Sequence, residues 1–202
     1  MNILVTGGAG YVGSVLLPEL VKDKHSIKCL DRFFFGDEFL SQKQFDGEIE
    51  LIKDDIRWFK PEILKNVDLV MDLAALSNDP VGALEPEKTY QINHLGRARV
   101  AKLCKEMGVK QYVLASSASV YGQQKDTVDE RSVVNPITDY SKANRKAEED
   151  VLSTELRRGI KTVEVMGRII KNRTGSMNRP LLKDIFKEAV EVHLRILTSF
   201  FE

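Results

Sequence analysis

The chain carries no excess of charge of either sign: 30 Lys and Arg stand against 30 Asp and Glu in 202 residues. A nucleic-acid-binding protein normally shows a basic surplus or stripe, so this balance argues against that partner. Cysteine is scarce too. Cys29 and Cys104 sit in apolar contexts without metal-ligand spacing, which excludes a disulfide framework and fits buried thiols in a reducing cytoplasm. His25, His94 and His193 are scattered along the chain, so no metal site is expected. No apolar run approaches the roughly 18 residues of a membrane span. The N-terminal residues lack the charged and apolar regions of a secretory leader. These absences predict a soluble, cytoplasmic protein without nucleic-acid or membrane partners.

What is present is an ordinary globular composition, 43% hydrophobic and 30% charged, enough for one sizeable core. Apolar runs of strand length alternate with helical patterns. Strands are predicted at Ile3–Val5, Ile27–Leu30, Ile49–Ile52, Val67–Leu73, Gln111–Ala115 and Lys161–Val165. Between them, helical spacing runs over Val12–Val21, over Glu85–Met107 with Gly108 as its stop, and over Tyr140–Leu156. This alternation is the signature of an α/β fold, a doubly wound parallel sheet with helices on both faces. The stretch 172–180 reads as a joint, so the expected division is a domain over 1–171 and a short helical remainder over 172–202. In the latter, Leu181–Phe201 is amphipathic.

The segment Thr6-Gly7-Gly8-Ala9-Gly10-Tyr11-Val12-Gly13 closes the first strand and opens a helix. Glycines at 7, 10 and 13 permit a tight turn, a close backbone approach to a pyrophosphate, and packing of helix on strand. Phosphates then meet a helix N-terminus, where unpaired N–H groups and the helix dipole favour negative charge. Asp31, roughly twenty residues on, ends the second strand, where an acidic residue meets the adenosine ribose. This context predicts a Rossmann-type NAD site. A carboxylate at 31 repels a 2′-phosphate, favouring NAD over NADP, while Arg32 beside it works in the opposite direction.

Further motifs make the chain resemble the extended short-chain dehydrogenase/reductases, in particular the NAD-dependent epimerase/dehydratase family that includes UDP-glucose 4-epimerases. They are Asp54-Asp55-Ile56-Arg57, Asp72-Leu73-Ala74-Ala75, Leu76-Ser77-Asn78-Asp79-Pro80, Tyr90-Gln91-Ile92-Asn93-His94 and Ser116-Ser117-Ala118-Ser119-Val120-Tyr121-Gly122. Together they cover residues 1 to about 170. The resemblance implies cofactor contacts from Gly7, Gly10, Tyr11, Val12, Gly13, Asp31, Arg32, Asp55, Ile56, Leu73, Ala74, Ala75 and Tyr140, with Asn93 steadying the central helix against the sheet. It further implies hydride chemistry on a nucleotide sugar, with Ser117 and Tyr140 handling the proton, and a homodimer through paired helices.

Two departures stand against it. The family's Tyr-x-x-x-Lys helix carries a lysine that lowers the tyrosine pKa and holds the nicotinamide ribose, because a phenol titrating near 10 is a poor base at neutral pH without a cation beside it. Here Tyr140-Ser141-Lys142-Ala143-Asn144 places asparagine at i+4. Lys142 and Lys146 fall on other helix faces. The expectation is impaired hydride chemistry, with Asn144 bonding the ribose at most, and a turnover that responds to Asn144→Lys. The second departure is the family's C-terminal substrate-binding portion, which is largely missing after residue 170. Three readings therefore stand: a sugar-nucleotide epimerase or dehydratase, a catalytically silent NAD-binding sensor or regulatory protein, and a truncated family member without a settled role.

Outside the motifs the sequence is less pointed. Trp58 and Phe59 are expected to anchor a helix start to the sheet. Phe33-Phe34-Phe35 covers the adenine or a partner, and Tyr121 lines a pocket or packs.

Overall fold

In a computed structural model the chain is described over residues 1–165, apart from 39, 41–47, 126, 127, 130, 155 and 157–159, with the last strand described by its backbone. The apolar runs form β1 (Asn2–Thr6), β2 (Ser26–Asp31), β3 (Ile49–Lys53), β4 (Leu69–Asp72), β5 (Gln111–Ser117) and β6 (Ile160–Val165). They make one sheet in the order β3-β2-β1-β4-β5-β6, and every pair is parallel. The chain winds outward from β1 to β3, then returns to β4 and winds the other way. Such a reversal opens a crevice beyond the carboxyl ends of the two central strands, here β1 and β4, and ligands of doubly wound sheets lie there.

Strand periodicity sorts the core into two layers. Ile3, Val5, Ile27, Cys29, Leu69, Met71 and Val113 point to one face, where they pack with Leu16, Leu17 and Leu20 of α1 (Gly13–Lys22). Leu4, Leu30, Val70, Tyr112 and Leu114 point to the other, against Val100, Ala101 and Cys104 of α4 (Arg97–Met107) and Val151 of α5 (Asp139–Leu152). A strand buried on both faces cannot alternate apolar with polar, which is why β1 and β4 read as continuous apolar runs. Burial of both thiols raises their pKa, that of Cys29 to about 12. Such thiols are inert as nucleophiles.

The long helix predicted at 85–107 is present but not uniform. Short α2 (Asp79–Leu84) precedes it, α3 (Pro86–Thr89) starts it, and a π-helical stretch over Tyr90–Gly96 leads into α4. Gly108 ends it in a left-handed cap. The 3.6-residue pattern did not disclose the π segment, which is a short stretch of i→i+5 bonding between two helical ones. Strand four begins two residues later than expected, and helix α5 ends at Leu152 rather than Leu156. Phe59 anchors the segment after β3 as expected, being wholly buried. Trp58 does not: it is 59% exposed and lies under the Arg57 guanidinium, 4.0 Å from ring centroid to Cζ. The division at 171/172 and the terminal amphipathic segment lie outside the described residues.

Candidate functional site

The glycine turn joins three strands. Gly7 has φ +67°, and a Cβ there would lie 2.7 Å from both N and Cα of Ala74. Its amide donates to the Leu30 carbonyl at 2.8 Å. A Cβ at Gly13 would stand only 2.0 Å from the Gly8 carbonyl oxygen, so the first residue of α1 is pressed onto the turn. Gly10 closes the turn by donating to the Gly7 carbonyl at 3.1 Å. Val12 caps α1 without a side-chain acceptor for the helix's first amides. Tyr11, in the same turn, is 57% exposed.

Asp31 ends β2 with its carboxylate bound to main chain on two sides. Oδ2 accepts from the Ala9 amide at 3.0 Å, and Oδ1 accepts from the Phe33 amide at 2.8 Å. The acidic residue and the glycine turn thus form one unit. Arg32 turns away toward Asp55, donating from Nη1 to Oδ2 at 2.9 Å. Asp55 also receives Nε and Nη2 of Arg57, at 2.9 and 2.8 Å. Burial alone would raise this carboxyl's pKa; the hydrogen bonds from Arg57 and Arg32 outweigh it and hold the group at about 2. Ile56 is buried against Gly96 in the α4-side core. Phe34 and Phe35 are exposed, with Arg32 stacked over Phe34 at 5.1 Å.

At the end of β4, Leu73 donates its amide to the Thr6 carbonyl at 3.0 Å. Ala74 abuts Gly7, and Leu73, Ala74 and Ala75 are half-buried along the crevice. Asn93, wholly buried in the π segment, clamps the loop beyond them. Its Oδ1 accepts from the Leu76 amide at 2.7 Å, and its Nδ2 donates to the Leu76 carbonyl at 2.9 Å. A π-bulge presents a side chain that regular helix would turn away, and here it ties helix to strand end.

The strand-five serines part ways. Ser116 is buried and donates to Glu148, whose other oxygen accepts from Arg145 at 3.0 Å. Ser117, half-buried, accepts from the Ser119 amide at 3.2 Å and hydroxyl at 2.9 Å. The Ala118–Tyr121 3-10 turn follows, with Tyr121 buried. Helix α5 packs on β5 and this turn, bringing Tyr140 and Ser117 to neighbouring elements at the same sheet end. Thr138 starts α5 with a capping box through Ser141. Gly82 of α2 lies against Tyr140, a Cβ there falling 2.9 Å from the tyrosine Cβ.

Asn144 shares Tyr140's helix face but turns into the core, 1% exposed. Its Oδ1 accepts from Arg97 Nη1 at 3.0 Å, and its Nδ2 donates to the Tyr140 carbonyl at 2.9 Å. Arg97, Glu148 and Gly82 are the residues that sequence reasoning missed. An arginine and a glutamate at inward helix positions were the available signal, since charged residues are almost never fully buried unless paired. Among the described residues no cluster of three His, Cys, Asp or Glu side chains is placed to hold a metal ion, and no helix is long and apolar enough to cross a membrane.

A glycine turn pinned to an acidic strand end at the switch point defines the class of doubly wound nucleotide-binding α/β proteins. More closely, residues 3–168 match the NAD dependent epimerase/dehydratase family, and the chain belongs to that family. It is 30% identical to a UDP-glucose 4-epimerase of Lactobacillus helveticus, over 94% of this chain and 60% of that protein. It is 32% identical to UDP-glucuronic acid decarboxylase 1 of Danio rerio, over 73% of this chain and 36% of that one. Among solved structures, MoeE5 in complex with UDP-glucose and NAD superposes with TM-score 0.69 at 27% identity, over 80% of this chain and 52% of its own. The UDP-glucose-4-epimerase of Stenotrophomonas maltophila with bound NAD does so with TM-score 0.74 at 27% identity, over 81% and 52%. The chain thus spans about half the length of most of these relatives.

Proposed function

We propose that the chain binds NAD across the crevice beyond β1 and β4 and that Ser117 and Tyr140 handle the proton of a nucleotide-sugar hydroxyl. The observation carrying this reading is the joint between Asp31 and the glycine turn, in which the carboxylate accepts from Ala9 and the turn leaves no room for a Cβ at Gly7 or Gly13. The fit is that of a dinucleotide. Gly7, Gly10, Tyr11, Val12 and Gly13 would hold the diphosphate, Asp31 the adenosine ribose, and Asp55 and Ile56 the adenine side. Leu73, Ala74, Ala75 and Tyr140 would line the nicotinamide side, with Asn93 fixing the loop they stand on. Arg32 is engaged by Asp55, which leaves Asp31 to reject a 2′-phosphate and supports NAD over NADP.

The bound cofactor would accept and return a hydride. Ser117 already takes two donors from Ser119, so its own hydroxyl proton is available to a sugar oxygen. Tyr140 stands on a helix start locked by a capping box and by Gly82, which gives the fixed orientation that general acid–base work requires. Relatives named as acting on UDP-sugars support a nucleotide-sugar substrate. The division into an NAD-binding domain over 1–171 and a helical remainder belongs to this proposal. So does a homodimer through the helices over 85–107 and 139–158.

A second reading, a catalytically silent NAD-binding sensor or regulatory protein, draws support from Asn144, whose amide is taken up by Arg97 and the Tyr140 carbonyl. Calorimetric titration with NAD and NADP, followed by turnover of UDP-glucose, tests both. Micromolar NAD affinity with turnover supports the enzyme, NAD affinity without turnover of UDP-glucose or UDP-glucuronate supports the sensor, and no binding of either dinucleotide refutes the site.

A further inference from the structure

Arg97 is the largest fully buried side chain among the described residues. Its Nε donates to Asp72 Oδ2 at 3.3 Å, its Nη2 to the Asp72 carbonyl at 3.1 Å and to the Ala115 carbonyl, and its Nη1 to Asn144 Oδ1 at 3.0 Å. Asp72, itself wholly buried, further accepts from the hydroxyls of Thr6 and Tyr112. One guanidinium therefore ties the ends of β4 and β5 to the first turns of α5, and one carboxylate balances it. The neighbouring charges on α5 are already paired: Glu148 is bound by Ser116 and Arg145.

We propose that Arg97 is the positioning residue of the Tyr140 helix, and that it forms a matched pair with Asn144 in which the cation of this cluster sits at 97 and excludes one at 144. A lysine at 144 would reach about two bonds past the asparagine amide, into the guanidinium. Both buried carboxylates within reach among the described residues are already balanced, Asp72 by Arg97 and Glu148 by Arg145, and an unpaired buried charge is among the costliest single changes. Restoring a lysine at 144 alone therefore damages the fold rather than the reverse. Arg97 and its partners fix the backbone that carries Tyr140 without touching substrate. The proposal's stability arm stands by itself; its catalytic arm rests on the proposed function.

The test is a mutant cycle by thermal unfolding of the unliganded full chain, with Asn144→Met supplying lysine's length without its charge. With Arg97 in place, Asn144→Lys is expected to melt roughly 5–15 °C below Asn144→Met. In the Arg97→Ala background the order reverses, because Asp72 regains a cation within reach. If Asn144→Lys does not fold alone, its recovery by Arg97→Ala supports the same pairing. A lysine–methionine difference that is equal in both backgrounds, or a double variant no more folded than the single, overturns the pairing. For positioning, Arg97→Lys keeps one cation for Asp72 but loses the planar fork whose separate nitrogens reach Asp72, Asn144 and Ala115 at once. It is expected to raise hydrogen exchange over residues 139–145 while β1 and β4 stay protected. Where UDP-glucose is turned over, it lowers kcat about tenfold or more at unchanged KM. Unchanged exchange at 139–145, or exchange raised equally throughout, overturns the positioning role. Absence of turnover in the native chain would sink the enzyme reading and leave these stability and exchange results to stand.

Discussion

Replacing Gly7 by alanine separates two costs that glycine avoids at once, and Gly108 supplies the control. Both residues have positive φ, +67° and +77°, but a Cβ at Gly108 meets nothing within 4 Å, whereas at Gly7 it meets Ala74 main chain at 2.7 Å. Alanine in the left-handed region costs about 1–2 kcal/mol, partly offset by the lower entropy of its unfolded chain. Gly108→Ala should therefore cost about 1 kcal/mol. Gly7→Ala adds an overpacking cost of about 1–3 kcal/mol, made harder to relieve because the neighbour is backbone rather than a flexible side chain. The sum, about 2–4 kcal/mol, corresponds to a melting temperature lowered by roughly 4–16 °C, against roughly 2–4 °C for Gly108→Ala. The two also part on ligand. Relief of the clash must move the glycine turn off the end of β4, so NAD affinity is expected to fall about tenfold or more, whereas the remote helix cap leaves it unchanged. Thermal unfolding and NAD calorimetry on both variants suffice. Equal melting temperatures, or a Gly7→Ala protein that binds NAD as the native chain does, would refute the argument that this turn is packed against β4 to form the cofactor cradle.

Asp31→Ser removes the carboxylate that holds Ala9 and Phe33; NAD affinity is expected to fall roughly 10–100-fold, with little gain for NADP because Arg32 stays bound to Asp55. Equal gain for NADP by calorimetry would show Arg32 to be free. Gly82→Ala sets a methyl 2.9 Å from the Tyr140 Cβ and 3.1 Å from its amide; turnover of UDP-glucose should drop on the order of 10²-fold at unchanged NAD affinity, and an undisturbed kcat would dissociate α2 from the chemistry. Asp55 is held at about 2 against an ordinary 3.8, so its contribution to stability is complete above about pH 4 and is lost as pH falls through about 2. Melting temperatures measured across that window should fall more steeply for the native chain than for Asp55→Asn, and parallel curves would deny the arginines their role.

The two halves of the site differ in how readable they were, for a physical reason. The glycine turn, Asp31 and the end of β4 obey local rules: apolar runs fix where the strands stop, and a tight turn demands glycine within a few residues of that stop. Asn93 was legible only through the family resemblance of Tyr90-Gln91-Ile92-Asn93-His94, since its partner Leu76 stands 17 residues earlier. Asn144 marks the limit. Helical spacing placed it on the Tyr140 face, and the resemblance aimed it at a ribose. What decides its direction is a guanidinium 47 residues earlier in the chain, drawn inward by a carboxylate 25 residues before that. The same holds for Asp55, whose expected adenine-side role says nothing of the two arginines that occupy its oxygens. A motif specifies which residue stands at a place, whereas burial and charge balance specify which way it faces. Buried ions must be paired, so the inward charged residues of the two helices, Arg97 and Glu148, are read together with every polar residue that shares their layer. On that reading the missing lysine is not an isolated loss. The cluster beneath Tyr140 already holds its one permitted cation, and residue 144 is neutral because residue 97 is not.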